Sequence, residues 1–364
     1  MIKAAFLVAV LAASGAAYAG IVVDGRNIEV VDMHLHPGRF SQMPASAVDY
    51  LSNAAPGPAR LFLPALFMRL QNPYAEHIGI KEQNGMAGVD HAVLLTVYTQ
   101  LTSGYFTNEQ MEEVLTDPRN VSGDTTPGRA NWAWGLASIN FEGYLEPGVA
   151  EARLAAVDSY LERLPDLFIG IKLAHTHQGV AFDDDRYWGI YDVAAKHSVP
   201  VLLHTGFSPF PNSKDEPRYY DPQYLESLVC DYDGTHGKPR VVFILAHTGQ
   251  GDARSVEHAL ELAEAHENIY IDLSALKRPQ LRDENGQSVT QTEYQYPYVI
   301  AEVKKRGIVS RTMWSSDGPQ YSGMERRYLG LLVEQMKSEG YTLDEIEAIL
   351  SGNFYRLFFK DGSE

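Results

Sequence analysis

His34 and His36 close a short apolar run, Val30-Val31-Asp32-Met33-His34-Leu35-His36-Pro37. On a strand, side chains two residues apart share a face, so the two imidazoles project together and Leu35 points the other way. Paired imidazoles are half of a site for a divalent metal, because histidine nitrogen is a common zinc ligand. Taken alone the pair is a weak signal. Further along the chain, Lys172, His204, His247 and Asp317 each follow or end another short apolar run. Each could bind a metal or move a proton. A structural histidine stands singly with one backbone partner, and an ordered series of this kind does not read that way.

The elements that must position these groups alternate in type. After the first strand, further strands are expected at 91–97, 132–139, 168–173, 199–203, 241–245, 269–273 and 311–314. Helices are expected at 76–86, 108–115, 149–164, 186–196, near Glu226, and at 253–265, 298–305, 326–337 and 343–350. The strands are near-continuous apolar runs, as in a parallel sheet covered by helices. About eight such units predict an α/β fold, a (β/α)8 TIM-type barrel with loop insertions at its C-terminal mouth. A doubly wound open sheet is the alternative, but no Gly-rich phosphate loop follows the first strand. In a barrel every carboxyl strand end faces one mouth, which would gather His34, His36, Lys172, His204, His247 and Asp317.

The chain has 364 residues and a formal net charge of -17 at pH 7, which argues against nucleic acid and anionic membranes as partners. A small-molecule substrate is the expected partner; the oligomeric state stays open. Residues 1–19 have a basic start, a short apolar stretch and an Ala17-Tyr18-Ala19 cleavage pattern. They read as a secretory signal peptide, predicting an exported protein, periplasmic or secreted, with a single domain over 20–364 and no membrane insertion after cleavage. The segment 38–74 is too long for an ordinary connection and reads as an insertion over the mouth. A second long loop, 206–222, is rich in Pro and Tyr. Cys230 is the only cysteine, so no intramolecular disulfide can form, and it is expected to be a buried helix residue.

Together, Val30 to Pro37, Gly170-Ile171-Lys172-Leu173, Pro200 to Gly206, Leu245-Ala246-His247, Trp314 to Pro319 and Gly352-Asn353 resemble the amidohydrolase superfamily. The nearest branch is the amidohydrolase-related group of hydrolases, lactonases and zinc-dependent decarboxylases. That resemblance implies that His34, His36 and Asp317 bind a divalent metal, with His204 completing a mononuclear site. It implies that His247 shuttles a proton or polarises the substrate, and that Asp317 takes the proton of the attacking water. In binuclear members a carboxylated lysine at the end of the fourth strand bridges two metals. Lys172 holds the matching place, and His204 and His247 would then hold the second ion. An unmodified Lys172 paired with Asp317 or with an anionic substrate fits equally. Zinc suits the ligands best, and manganese or iron also fits.

Weaker candidates surround this set. His175 and His177 read as surface or supporting histidines, and Asp272 as a carboxylate that orients its neighbours. Lys277 and Arg278 could hold a substrate carboxylate, and Tyr219 and Tyr220 could line a pocket or pack the loop. His77, His91, His197, His236, His258 and His266 read as structural or exposed. The leading expectation is a metal-dependent hydrolase of an ester, lactone or amide-like bond. A non-oxidative decarboxylase or hydratase on the same site is the alternative. A non-catalytic periplasmic metal- or solute-binding protein is the reading from another class.

Overall fold

Eight short strands pair in parallel in strict chain order. They are β1 (Val31–Leu35), β2 (His91–Leu95), β3 (Ala133–Ala137), β4 (Phe168–Leu173), β5 (Val201–His204), β6 (Phe243–Ala246), β7 (Ile269–Asp272) and β8 (Thr312–Met313). The computed structural model describes residues 20–38, 40–53, 76–126, 128–276, 281–289, 295–319 and 323–359. Past the end of β8 the sheet curls back onto β1. Leu35 bridges to Gly318, the His36 N–H donates to the Gly318 carbonyl at 2.8 Å, and the Asp317 N–H donates to the His34 carbonyl at 3.0 Å. The barrel reading is correct.

Two apolar layers explain why the strands are buried on both faces. Val31, Met33, Val93, Leu95, Trp134, Leu136, Leu202 and Ile244 belong to an inner cluster, while Leu94, Ile171, Leu203, Leu245 and Ile271 join the layer under the helices. In β1 the register slips between Asp32 and Leu35. Val31 and Met33 lie in the inner cluster, yet Leu35 lies in the outer one. This irregularity changes the parity of the strand and lets His34 and His36 take over the inward face, a use to which bulges near active sites are put. The last helix, Asn353–Phe358, plugs the opposite end of the barrel, with Phe354 5.4 Å from Trp134 between ring centroids.

Helix starts follow side-chain chemistry. Thr107 and Gln110 form a reciprocal capping box for Asn108–Leu115, and Asp252 accepts from the Arg254 N–H to cap Ala253–Ala265. The expected helix at 186–196 starts later, at Gly189, because Asp185–Tyr187 forms a single tight 3-10 turn first. The helix expected at 343–350 ends at Glu347 and passes into a π-type segment, Ala348–Gly352. Within the expected insertion, Phe40–Gln42 is a 3-10 turn and Ala45–Asn53 a helix; 54–74 lies outside the described residues, as do residues 1–19 and Lys277 and Arg278. No helix among the described residues is long and apolar enough to cross a membrane. Cys230 lies in the helix Glu226–Asp231 but is only half-buried, because it faces the exposed Glu226 rather than the core.

Candidate metal and catalytic site

Two of the strand-end groups, His247 and Asp317, sit on left-handed backbone. Asp317, His247, Thr248 and Ala275 have φ values of 57°, 65°, 46° and 58°, the left-handed region that non-glycine residues avoid. Each such residue costs on the order of 1–3 kcal/mol, and they cluster here, just past β6, β7 and β8. The chain therefore turns sharply at the mouth and holds these side chains over it.

Asp272, at the end of β7, is the hub. Its Oδ2 lies 2.6 Å from His34 Nδ1. Its Oδ1 accepts from the Ser274 N–H at 2.6 Å and the His247 N–H at 3.4 Å. Burial pushes the Asp272 carboxyl up, but His34, His247 and Ser274 outweigh it and hold it well below the ordinary range. An ionised carboxylate at 2.6 Å fixes the proton of His34 on Nδ1, so Nε2 carries a lone pair. Burial and the nearby Lys172 charge push the His34 imidazolium down to about 4, so the ring is neutral.

That lone pair faces a compact set of donors. His34 Nε2 lies 3.2 Å from His36 Nε2 and 3.7 Å from Asp317 Oδ1, and His36 Nε2 lies 3.4 Å from the same oxygen. Ligands about 2.0–2.2 Å from one metal ion stand roughly 3.0–3.5 Å apart, so these three atoms fit the first sphere of a single divalent ion. Without a cation, two imidazole edges and a carboxylate would crowd one point.

His204 and His247 form a second pair. His247 Nε2 lies 3.2 Å from His204 Nδ1, and His247 Nδ1 lies 2.7 Å from Ser274 Oγ. Burial pushes both imidazoles well below their ordinary value. At the mouth His34, His36 and Asp317 form one three-donor cluster and His34, His247 and Asp272 another; His204 stands outside both, and its Nε2 is buried with no hydrogen-bond partner among the described residues. Lys172 Nζ is in the same condition, on a side chain 1% exposed. Burial lowers its pKa to about 8, while Asp272 and Asp317 pull it back up.

The supporting residues divide. Asp272 orients its neighbours, as its sequence position suggested. His175 is buried away from the mouth, bound to the Val180 carbonyl at 3.1 Å and the Tyr191 hydroxyl at 3.1 Å. His177 is not a bystander: its ring lies edge-to-face on His204, with centroids 4.9 Å apart. The sequence places it only among surface or supporting histidines, because it sits on a one-turn helix, His175–Gln178, beyond the strand end. Tyr220 packs the 206–222 loop, its hydroxyl 3.2 Å from Asp252 and 3.1 Å from Arg282. His77, His91, His197, His258 and His266 pair with Asp117, Glu29, Asp158, Asp221 and Glu226 away from the mouth, and His236 is exposed. A cavity of about 370 Å³ lined by Pro37, Gln42, His77 and Arg119 lies beside the loop after β1 and takes in none of the strand-end groups.

The sequence profile of the amidohydrolase family matches residues 103–360. No curated protein matches the sequence. Among solved structures, an uncharacterised TIM-barrel protein from Bordetella bronchiseptica is similar with a TM-score of 0.61 at 14% identity, over 91% of this chain and 98% of that one. A probable 2-pyrone-4,6-dicarboxylic acid hydrolase from Acinetobacter baumannii, with citric acid bound, has a TM-score of 0.55 at 15% identity, over 91% and 99%. A dihydroxybenzoic acid decarboxylase from Polaromonas, with bound manganese and the inhibitor 2-nitroresorcinol, has a TM-score of 0.52 at 12% identity, over 91% and 97%. These likenesses are of fold.

Proposed function

The chain belongs to the amidohydrolase family, and from that premise we propose that it is a metal-dependent hydrolase of an ester, lactone or amide-like bond in a small molecule. The observation that carries this reading is the convergence of His34 Nε2, His36 Nε2 and Asp317 Oδ1 on one point, with His34 fixed as a lone-pair donor by Asp272. His34, His36 and Asp317 would hold the ion, and the unpartnered Nε2 of His204 is the fourth donor at hand. When bound, a divalent ion supplies a Lewis acid that polarises a carbonyl and activates water. Zinc is favoured by the nitrogen-rich donors, with manganese and iron as competitors.

The chain's own residues supply the rest. Asp317, kept ionised by a bound cation, would accept the proton of the attacking water on its carboxylate. His247, its Nδ1 anchored on Ser274, directs Nε2 toward His204 and the mouth, where it can donate to the oxygen that gains charge or to the leaving group. Lys172 brings a buried, unpartnered amine to the same mouth, suited to an anionic group of the substrate. That amine also favours a second reading, loss of a substrate carboxylate as carbon dioxide. Residues 1–19 support export before the enzyme acts, which N-terminal sequencing of the mature protein would test.

The first experiment is metal content per chain, on protein purified without chelator. About one equivalent supports the single site with Lys172 unmodified. About two would place Lys172, His204 and His247 around a second ion. Less than a tenth of an equivalent, with turnover intact, would sink the metal-dependent reading. Carbon dioxide release during turnover separates decarboxylation from hydrolysis.

A further inference from the structure

His177 is held by two hydroxyl groups that each have a second acceptor within reach. Its Nδ1 lies 2.9 Å from Thr102 Oγ1 and 3.4 Å from Ser213 Oγ. The Thr102 hydroxyl donates to the Thr99 carbonyl at 3.1 Å, and the Ser213 hydroxyl donates to Ser208 Oγ at 3.3 Å. A hydroxyl has one hydrogen to give, so with these two bonds made both oxygens accept from His177, Nδ1 carries the ring proton and Nε2 a lone pair. Nε2 has no hydrogen-bond partner among the described residues, and it points away from the two hydroxyls. The ring stands 4.9 Å from His204 between centroids. Phe210 lies 6.2 Å from the His177 ring and 5.4 Å from Tyr50.

We propose that His177 is a specificity-determining residue: a fixed hydrogen-bond acceptor that selects substrates carrying a hydroxyl or amide N–H donor close to the group bound at the His34–His36–Asp317 cluster. Thr102 and Ser213 are positioning residues that hold this tautomer. The inference rests on the strand-end cluster being a substrate site, and not on which reaction occurs there. A donor-free analogue would leave the acceptor desolvated and unpaired, which is the stronger of the two ways a site discriminates. The segment 206–222 and the turn at Thr102 thereby acquire a task, since together they grip the far side of the imidazole.

The test is calorimetric binding of 2-, 3- and 4-hydroxybenzoate and of their methyl ethers to the metal-loaded protein. The carboxylate serves as the common anchor. At least one hydroxy acid should bind about tenfold more tightly than its ether. His177→Phe, which keeps a ring and removes the acceptor, should bring that ratio to one. His177→Gln, which offers a carbonyl oxygen, should restore part of it, and Thr102→Val should weaken it. An unchanged ratio in His177→Phe, or no hydroxy acid preferred over its ether by the unaltered protein, overturns the proposal. Nitrogen-15 spectra of histidine-labelled protein, assigned with His177→Phe, read the tautomer directly: a proton on Nε2 also overturns it. None of these readouts needs turnover, so survival of activity in Asp317→Asn would defeat the hydrolytic reading and leave this one standing.

Discussion

The two ends of the barrel hold buried histidines on opposite terms. At the bottom, His91 Nδ1 lies 3.0 Å from the Asn131 carbonyl and its Nε2 3.4 Å from Glu29. Glu29 also accepts from Arg129 and from the Tyr355 hydroxyl, each at 2.6 Å, and Arg129 lies over the Tyr355 ring. Trp134 stacks on His91, 5.2 Å away, and the aromatic C-terminal helix seals the floor. His91, Glu29, Arg129 and Tyr355 each have a protein partner. At the top, Lys172 Nζ and His204 Nε2 have none among the described residues, and His247 and Asp317 sit on left-handed backbone. A buried polar group without a partner costs about 1–3 kcal/mol, so a fold carries it where something else is meant to complete it. The contrast separates a histidine that holds the barrel together from one that waits for a ligand.

Mutations at the two ends should therefore fail differently. Asp317→Asn should lower turnover about a thousandfold while bound metal, measured by elemental analysis, falls little. Retained turnover would undo the assigned proton path. The next largest effect concerns pH. Burial raises the Asp32 carboxyl from 3.8 to about 7, with Ser316 opposing. Between those values the folded protein holds a proton that the unfolded chain has released. The associated stability is full below the unfolded value and is lost as pH rises through about 7, up to about 4 kcal/mol. Asp32→Asn should flatten that part of the stability–pH curve, measured by urea unfolding; an unchanged slope would assign it elsewhere.

Smaller effects sharpen the comparison. Asp272→Asn keeps the shape but disturbs the proton on His34, and should weaken metal binding about 10–100-fold in chelator competition. At the floor, Tyr355→Phe should cost about 1 kcal/mol of unfolding free energy and leave kcat within twofold. A large loss of kcat there would erase the distinction between the two ends.

Much of this was legible in the sequence because a barrel writes its strands as apolar runs and its chemistry at their ends. β4 and the helix Ala253–Ala265 fall where the patterns put them. Asp272 could be recognised as an orienting residue from its strand-end position alone. The hairpin Ile21–Val23 with Arg26–Ile28 was passed over, although Asp24-Gly25, with φ values of 49° and 85°, is a known turn signal. The tight turn ahead of Gly189 and the π-type segment after Glu347 are boundary effects of packing that periodicity does not carry. His177 was hidden for a deeper reason. Its role depends on Thr102 and Ser213, which lie 75 and 36 residues away, and such tertiary hydrogen bonds leave no local pattern.

β8 is only two residues long, and the ring closes beyond it, through Leu35 and Gly318 and through the Ser316 N–H on Asp32, 284 positions apart. The cluster formed by His34, His36 and Asp317 straddles this seam. An ion gripped there would act as a rivet between the first and last strands. No nascent or truncated chain lacking the final strand could assemble the cluster, so metal capture waits for the entire ring. The same rivet would make stripping by chelator a mechanical event as well as a chemical one, loosening the barrel where its wall is thinnest.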